Sequence, residues 1–314
     1  MEAPAPQLYK LPADAVWFIT GCSSGIGQAV AQHVATKTPS QRVVATARNP
    51  ASLAAPAIPS GPNVLKLALD VTSEASINAA FEAALAHFGR VDVVVNNAGY
   101  NMMGDAEASP PGNSGARVLM DTNFWGAVDV TKRSLPVFRD VNPQSGQKGG
   151  VVINVSSMGG FMTSPGNSFY HATKFALEGF AESVAKEVSP DWNIHVCNVE
   201  PGGVATKFTT SSLQRLPRHP AYEADSKCGT NVMLAFMDNP AAHAGFAKAE
   251  EAAEAIYSIV GSGRRIPIRV PLGKDAWTMV KEEVDNVNVD LEEYKELSCA
   301  MGTSDVDEMK AFIK

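Results

Sequence analysis

The sequence predicts a single α/β domain, a doubly wound parallel sheet with helices on both faces, followed by a helical C-terminal extension. Two observations support this fold class. Short apolar runs alternate with helical patterns over the first two thirds of the chain, as the connections of a parallel sheet require. The chemically unusual residues come directly after those runs, at the edge where such sheets bind ligands.

The strands and helices are predicted in a regular order. Each expected strand is a short, nearly continuous apolar run, typical of strands buried on both faces. These runs are 15–20, 42–46, 64–69, 91–95, 151–155 and 194–199. The expected helices are 26–36, 73–87, 117–139 and 168–188, with a further short helix before the third strand. Ser73 and Gly89 are typical cap residues for the second helix.

The pattern is looser after residue 200. Residues 206–228 predict a mobile substrate loop, and further helices are expected at 226–238 and 248–260. An edge strand at 265–270 would tolerate its proline, and the acidic tail at 275–314 has a helical pattern. The expected divisions are an N-terminal arm at 1–13, the sheet domain at 14–270 and the helical extension at 271–314.

Composition and charge exclude several classes of protein. Of the 314 residues, 45% are hydrophobic and 19% are charged, as in globular proteins and unlike disordered chains, fibres or coiled coils. No apolar run reaches the about 18 residues of a membrane span, and the first residues lack the pattern of a secretory signal. A net charge of −7 without a basic cluster argues against nucleic acid as a partner.

The four cysteines are widely spaced, without a C-x-x-C pair: Cys22, Cys197, Cys228 and Cys299. This spacing favours reduced thiols of an intracellular protein over a disulfide framework or a zinc site. We therefore expect a cytoplasmic protein that binds no metal.

A glycine-rich turn, T-G-C-S-S-G-I-G at 20–27, connects the first strand to the first helix. Its glycines allow a tight turn and a close approach of the backbone to a pyrophosphate, and the next helix offers unpaired N–H groups. A plain turn is the alternative, but this position is the one that nucleotide binding needs. The turn predicts a Rossmann-type site with cofactor contacts from Gly21, Ser23, Ser24, Gly25, Ile26 and Gly27.

Polar residues also follow the third and fourth strands, at Asp70-Val71 and at Asn96-Asn97-Ala98-Gly99. Both segments are expected at the ligand-binding edge. The further predicted cofactor contacts are therefore Asp70, Val71, Asn97, Ala98 and Gly99. For Asp70, a role at the start of the helix that Ser73 caps is an equally good interpretation.

The end of the second strand indicates which cofactor is bound. NAD enzymes of this architecture carry an acidic residue there, which binds the ribose 2′-hydroxyl and would repel a 2′-phosphate. Here the strand ends in Arg48, with no acid beside it, and a guanidinium suits a phosphate. The sequence favours NADP(H) over NAD(H), although a solvated surface arginine would look the same.

A tyrosine and a lysine, Tyr170 and Lys174, stand four residues apart at the start of a predicted helix and so share one face. Alone, such a tyrosine is usually a core residue. Ser157, however, directly follows the fifth strand, 13 residues before the tyrosine.

Taken in order, the motifs T-G-x-x-x-G-x-G, N-N-A-G, Ser157, Y-x-x-x-K and P-G resemble the short-chain dehydrogenase/reductase family over roughly residues 14–206. The resemblance implies that Tyr170 is the general acid in reduction and the base in oxidation. It further implies that Lys174 lowers the pKa of that tyrosine and binds the nicotinamide ribose, and that Ser157 holds the substrate oxygen.

The resemblance extends to two further segments. Asn123 matches the family's helix asparagine, which holds a water in the proton relay; a buried asparagine bonded to backbone is the alternative. The segment after the sixth strand matches the nicotinamide contacts, namely Pro201, Gly202, Val204 and Thr206. The family also implies a homodimer or homotetramer built on the helices at 117–139 and 168–188.

Elementary electrostatics agrees with the role of the lysine. A free tyrosine has a pKa of about 10, too high for easy proton exchange at neutral pH. An ammonium about 4 Å away contributes roughly 4 kcal/mol at an effective dielectric constant of 20. The sequence therefore predicts that the pKa of Tyr170 is lowered by Lys174.

The substrate is expected between the segments 100–104, 158–165 and 206–228. Their large apolar residues could form an adaptable wall, although about half of them could be core: Met102, Met103, Met158, Phe161, Met162 and Phe208. This favours a bulky, mainly apolar ketone or secondary alcohol. The segment 269–273 and the acidic tail are also similar to members related to 17β-hydroxysteroid dehydrogenases.

The leading interpretation is an oxidoreductase, a ketoreductase or alcohol dehydrogenase that uses NADP(H). One alternative is a regulator that senses NADP(H) without turnover, but such proteins are expected to lose the tyrosine or the lysine. Another is a redox-neutral epimerase or dehydratase, which generally shows a different glycine spacing and a longer domain.

Overall fold

A seven-stranded parallel sheet forms the centre of the computed structural model, which describes residues 8–37, 40–54, 56, 58–209, 212–302 and 304–313. The strands are β1 (Val16–Ile19), β2 (Arg42–Ala47), β3 (Val64–Ala68), β4 (Val93–Asn96), β5 (Met102–Met103), β6 (Gly150–Val155), β7 (Ile194–Pro201), β8 (Gln214–Arg215) and β9 (Arg269–Leu272). The sheet order is β3-β2-β1-β4-β6-β7-β9, and β5 pairs separately with β8. The chain therefore reverses its direction of winding beside β1, as the doubly wound fold class predicted.

Eleven α-helices are found in the described ranges, and those that follow the strands cover both faces of the sheet. They are α1 (Gly25–Lys37), α2 (Glu74–Phe88), α3 (Ala116–Met120), α4 (Gly126–Pro136), α5 (Ser168–Glu187), α6 (Pro220–Glu223), α7 (Gly229–Met237), α8 (Ala249–Gly261), α9 (Lys274–Glu293), α10 (Lys295–Cys299) and α11 (Val306–Ile313). Ser73 and Gly89 cap α2 as predicted. None of these helices combines the length and the apolarity needed to cross a membrane.

Two apolar cores sandwich the sheet, because neighbouring strand residues point to opposite faces. Trp17 packs on the face covered by α1 and α8, whereas Phe18 stacks on Phe81 of α2 on the other face. This double burial explains why the strands read as continuous apolar runs.

Three predictions about secondary structure need correction. The helix expected at 117–139 is divided into α3 and α4 by a wider π-helical turn, Asp121–Trp125. The edge strand expected at 265–270 lies later, because β9 pairs with the end of β7. The loop expected at 206–228 contains β8 and α6; its residues 210 and 211, like residues 1–7 of the predicted arm, lie outside the described ranges.

Candidate active site

The glycine-rich turn lies between β1 and α1 and packs closely on the turn that follows β4. Gly21 has a positive φ of 71°, and a Cβ there would lie 2.8 Å from the Cα of Ala98. A Cβ at Gly27 would collide with the Asn97 side chain. Side chains at these two positions would therefore push the two ligand-facing turns apart.

Thr20, which the sequence analysis missed as a site residue, holds these two turns together. Its hydroxyl accepts hydrogen bonds from the backbone N–H groups of Asn97 (2.9 Å) and Ala98 (3.0 Å). In return, the Asn97 amide donates to the carbonyls of Thr20 (2.9 Å) and Gly21 (3.1 Å). The position of Thr20, directly before the first glycine of the motif, could have indicated this role from the sequence.

The start of α1 fits the phosphates of a dinucleotide. A cavity of about 290 Å³ lies beside Ser24 and Gly25 and is also lined by Thr206, by the cationic Lys207 and Lys248, and by the carboxylate Glu250. The absence of a side chain at Gly25 leaves the first turn of α1 open to this space, and a helix N-terminus attracts anions.

The two charged cofactor contacts predicted after β2 and β3 are at least partly exposed. Arg48 follows β2 and is exposed, and Asp70 follows the end of β3. The Asp70 carboxylate accepts hydrogen bonds from the Thr72 backbone (3.0 Å) and hydroxyl (2.7 Å), and these bonds lower the pKa of Asp70. The positive charge of Arg48 lowers it further. The carboxylate thus builds the turn before α2, as the helix-start interpretation expects, while Val71 is buried against Gly126.

The predicted catalytic side chains meet at the carboxyl end of β6. Tyr170 and Lys174 lie on the first turns of α5, and the lysine Nζ is 5.7 Å from the centre of the tyrosine ring. The same ammonium donates a 2.8 Å hydrogen bond to the carbonyl of Val155. Ser157 lies beside the phenol, and its hydroxyl accepts a 3.0 Å hydrogen bond from the Gly159 backbone.

Burial changes the acidity of both groups, in opposite directions. It raises the pKa of Tyr170 to about 12, opposed in part by a hydrogen bond with Ser157. It lowers the pKa of Lys174 to about 8, opposed in part by the charge of Glu178. The pKa of Tyr170 is therefore raised and not lowered as predicted, because removing the phenol from water outweighs the hydrogen bond with Ser157.

Asn123 lies in the π-helical turn and is fully buried. Its amide accepts from the backbone N–H of Tyr100 (3.0 Å) and donates to the carbonyl of the same residue (2.9 Å). It also donates to the Thr173 hydroxyl at 3.3 Å. These bonds match the alternative interpretation, a buried asparagine that holds backbone, and they connect the turn after β4 to α5.

The predicted apolar wall is only partly present. Met102 and Met103 are 3% and 1% exposed in β5 and belong to the core, because this strand pairs with β8 from the distant loop. The other four residues are half-buried: Met158, Phe161, Met162 and Phe208. The Phe208 ring contacts the Tyr170 ring edge-on, with centroids 5.5 Å apart, so it covers the phenol.

A buried ion pair that the sequence analysis missed anchors the predicted mobile loop. Asp105 has a fully buried carboxylate that accepts hydrogen bonds from the Arg218 Nε (2.7 Å) and from the His219 backbone (3.0 Å). Burial alone would raise the pKa of Asp105, but these hydrogen bonds outweigh it and lower that pKa. The nearby Asn231 carbonyl also accepts from Arg218, at 2.7 Å.

The Pro201–Gly203 turn at the end of β7 is held by the C-terminal extension. The Gly203 backbone donates a 2.7 Å hydrogen bond to the carboxylate of Asp275 in the first turn of α9. Val204 then forms an isolated bridge with Ala247. The predicted nicotinamide contacts therefore lie at the same sheet edge as the glycine-rich turn and Tyr170.

Across the described ranges, His, Cys, Asp and Glu side chains do not cluster in a way that could hold a metal ion.

Residues 15–217 match the family model for short chain dehydrogenases. The chain is also 42% identical over 293 residues to the oxidoreductase calM of Penicillium decumbens, covering 92% of this chain and 94% of that protein. The chain belongs to the short-chain dehydrogenase family. It is therefore an oxidoreductase of the kind that acts on alcohols and ketones.

Solved structures of other short-chain dehydrogenases agree with the architecture. A short-chain dehydrogenase from Streptomyces avermitilis has a TM-score of 0.76 and 32% identity, covering 91% of this chain and 99% of that one. The 3-ketoacyl-(acyl-carrier-protein) reductase of Brucella melitensis, complexed with NADH, has a TM-score of 0.64 and 26% identity, covering 82% of this chain and 96% of that one. The first match covers nearly the whole chain, so the single-domain Rossmann-type fold is common to both proteins.

Proposed function

We propose that this short-chain dehydrogenase transfers a hydride between NADP(H) and a ketone or secondary alcohol, with Tyr170 as the general acid and base. The observation that carries the proposal is the cluster of the buried Tyr170 and Lys174 with the half-buried Ser157, which lies at the carboxyl end of β6. When bound, the cofactor supplies or accepts the hydride.

The side chains have distinct tasks in ketone reduction. Ser157 donates a hydrogen bond to the substrate oxygen and orients it toward the phenol. Tyr170 transfers its proton to that oxygen as the carbonyl carbon is reduced, and in alcohol oxidation it takes the proton back. Lys174 stabilises the phenolate that remains after the transfer. Asn123 acts as a positioning residue, because it fixes α5 against the turn after β4.

The cofactor would be held along the sheet edge from β3 to β7. The residues proposed to hold it, besides Tyr170 and Lys174, are Gly21, Ser23, Ser24, Gly25, Ile26, Gly27, Arg48, Asp70, Val71, Asn97, Ala98, Gly99, Pro201, Gly202, Val204 and Thr206. The preference for NADP(H) over NAD(H) is supported by Arg48, an exposed cation at the end of β2. A guanidinium there can hold a 2′-phosphate in two hydrogen bonds.

A bulky, mainly apolar substrate is supported by four half-buried apolar residues, Met158, Phe161, Met162 and Phe208, the last of which contacts the Tyr170 ring. Methionine and phenylalanine form adaptable walls for such molecules.

A homodimer or homotetramer through α3–α4 and α5 is supported by two large apolar side chains left exposed in this part of the chain, Trp125 and Phe175. A cytoplasmic location completes the proposal, as the separate, reduced cysteines suggest.

The test is to mix the protein with NADPH and a panel of hydrophobic ketones and to follow the absorbance of NADPH. We expect net consumption, and we expect Tyr170→Phe to reduce kcat by roughly 100-fold to 10,000-fold, the usual contribution of a general acid. Equal turnover by Tyr170→Phe would refute the role of the phenol. Tight NADPH binding without consumption of any ketone would instead support a sensing protein.

A further inference from the structure

A ladder of three asparagines crosses the sheet directly behind the candidate active site. Asn96, Asn154 and Asn198 face each other in register on β4, β6 and β7. The Asn96 side-chain Nδ2 donates to the Asn154 Oδ1 at 2.9 Å, and the Asn154 Nδ2 donates to the Asn198 Oδ1 at 2.9 Å. All three are buried, where polar side chains need partners, so the ladder fixes the positions of the strand ends that carry the catalytic turns.

The ladder ends on a buried carboxylate of α5. The Asn198 amide donates a 2.6 Å hydrogen bond to the Glu178 Oε2. The same oxygen lies 3.0 Å from the Nε of Arg269, which is the register partner of Asn198 on β9. Since Glu178 comes four residues after Lys174 and eight after Tyr170 on α5, it joins the sheet to the helix face that carries both proposed catalytic side chains.

A second buried carboxyl, that of Glu200, lies beside Glu178 but, within the described ranges, receives no hydrogen bond like the one that Asn198 donates to Glu178. Among the described residues, neither Glu200 oxygen has a hydrogen-bond partner, and the Arg269 Nε is 3.9 Å away. Burial and the charge of Glu178 raise the pKa of Glu200 to about 7. Burial also raises the pKa of Glu178, but the nearby Ser156 hydroxyl, the charge of Arg269 and the hydrogen bond from Asn198 oppose it. The 2.6 Å hydrogen bond from Asn198 and the 3.0 Å contact with Arg269 therefore favour the negative charge on Glu178 over Glu200, which is 3.9 Å from the same guanidinium.

Two ionisable side chains among the described residues are placed near Lys174. Tyr170 and Glu178 face it from its own helix, and β6 contributes only the neutral Val155 carbonyl. Around Glu178 itself, the ionisable groups are Lys174 and Glu182 on α5, Cys197 and Glu200 on β7, and Arg269 on β9. Burial disfavours the ammonium, and the negative charge of Glu178, one helical turn further along α5, opposes its loss of a proton.

We propose that Glu178 is a positioning residue of the active site, which is tied to the sheet by Asn198 and Arg269 and keeps the buried Lys174 in its ammonium form. The proposal rests on the role given to Lys174 under the proposed function. An amide at this position could still accept the hydrogen bond from Asn198 and complete the ladder. Only a carboxylate can also supply the negative charge, so the two roles are separable by experiment.

The test compares Glu178→Gln with Glu182→Gln. Glu182 is a matched control, because it lies one turn further along α5, pairs with the same Arg269 at 2.8 Å and is partly exposed. NADPH affinity is measured by fluorescence between about pH 6 and pH 9, together with the pH profile of kcat. For Glu178→Gln we expect nearly wild-type affinity near pH 6, roughly fivefold weaker binding than wild type near pH 8 and nearly tenfold weaker binding near pH 9, since a Lys174 pKa lower by about one unit reduces the charged fraction by these factors.

The control variant should follow the wild-type curve. The proposal is overturned if Glu178→Gln and the wild type give the same pH dependence, or if Glu182→Gln changes it equally. Because the affinity is measured without a ketone, the outcome stands even if no ketone is turned over, a result that would count against the proposed function alone.

A second variant keeps the test informative if Glu178→Gln does not fold. Lys174→Arg carries a guanidinium that keeps its proton over this pH range. Its NADPH affinity should therefore lack the decrease above pH 8 that we expect for the wild type. If the affinity of Lys174→Arg decreases in the same way as that of the wild type, Lys174 is not the group that titrates and the proposal is wrong.

Discussion

The ammonium of Lys174 lies 5.7 Å from the centre of the Tyr170 ring, and both side chains are almost fully buried. Burial raises the pKa of the phenol to about 12 and lowers that of the ammonium to about 8. The phenol therefore keeps its proton throughout the neutral range, whereas the lysine loses its charge first as the pH rises.

This order of titration predicts the pH dependence of ketone reduction. We expect kcat/KM to be level from about pH 6 to about pH 7.5 and to decrease above about pH 8, because neutral Lys174 no longer stabilises the phenolate left by proton transfer. The measurement is a pH profile of kcat/KM with saturating NADPH. A rate that keeps rising through pH 9 would contradict this assignment.

Glu200 predicts a pH dependence of stability. Its pKa is about 7 in the folded protein and about 4.3 in an unfolded chain. Between these values only the folded state holds the proton, so stability decreases as the pH rises through this window. We expect the wild type to lose up to roughly 3 kcal/mol more than Glu200→Gln between pH 5 and pH 8, measured by urea unfolding. Equal losses would show that Glu200 is ionised in the folded protein.

Arg48 is predicted to set the cofactor preference. Arg48→Ala removes the cation at the end of β2, and charged hydrogen bonds contribute about 1.5–3 kcal/mol. We therefore expect NADPH affinity to decrease roughly 10-fold to 100-fold, while NADH affinity changes little. Lys37→Ala, which removes a cation from the last turn of α1, serves as the control. A parallel loss of both cofactors would argue against contact with the 2′-phosphate.

The features of the fold that depend on local sequence pattern, above all the strands, could be predicted from the sequence. The strands were found because residues such as Trp17 and Phe18 are buried on opposite faces, which leaves an apolar run. Distant pairing was not visible in the sequence. Met102 and Met103 became core only through β8, more than a hundred residues away, and β9 is aligned by its pairing of Arg269 with Asn198.

The chemical environment of the site was also harder to predict than its composition. The spacing of Tyr170 and Lys174 indicated that they share a helix face, and they do. Their acidity depends on how much water reaches them, which is set by covering residues such as Phe208. The link from Glu178 to Asn198 likewise requires the fold, because nothing in the local sequence of α5 specifies its partner on β7.

Phe208 is predicted to contribute to substrate binding. Its ring contacts that of Tyr170, so Phe208→Ala should remove apolar contact with a bulky ketone. Fully burying a phenylalanine contributes roughly 1.5–3 kcal/mol. Because Phe208 is already half-buried, we expect KM for apolar ketones to rise roughly threefold to tenfold, with a smaller change in kcat. Phe236→Ala, on the exposed face of α7, is the matched control. An unchanged KM would place the substrate elsewhere.

Asp105 is predicted to hold the substrate loop closed. Asp105→Asn removes the buried charge that pairs with Arg218 and receives the His219 backbone hydrogen bond. Loss of one partner of a buried pair typically costs 3–5 kcal/mol. Because Arg218 is partly exposed and asparagine keeps an acceptor, we expect Asp105→Asn to lower the stability of the closed loop by about 2 kcal/mol.

The loss of stability should be confined to the loop, so limited trypsin digestion of Asp105→Asn should cleave after Arg215 or Arg218 several times faster than digestion of the wild type. Glu107→Gln, which removes an exposed carboxylate beside His219, should leave the cleavage rate unchanged. Equal cleavage rates for Asp105→Asn and the wild type would mean that other contacts hold this loop in place.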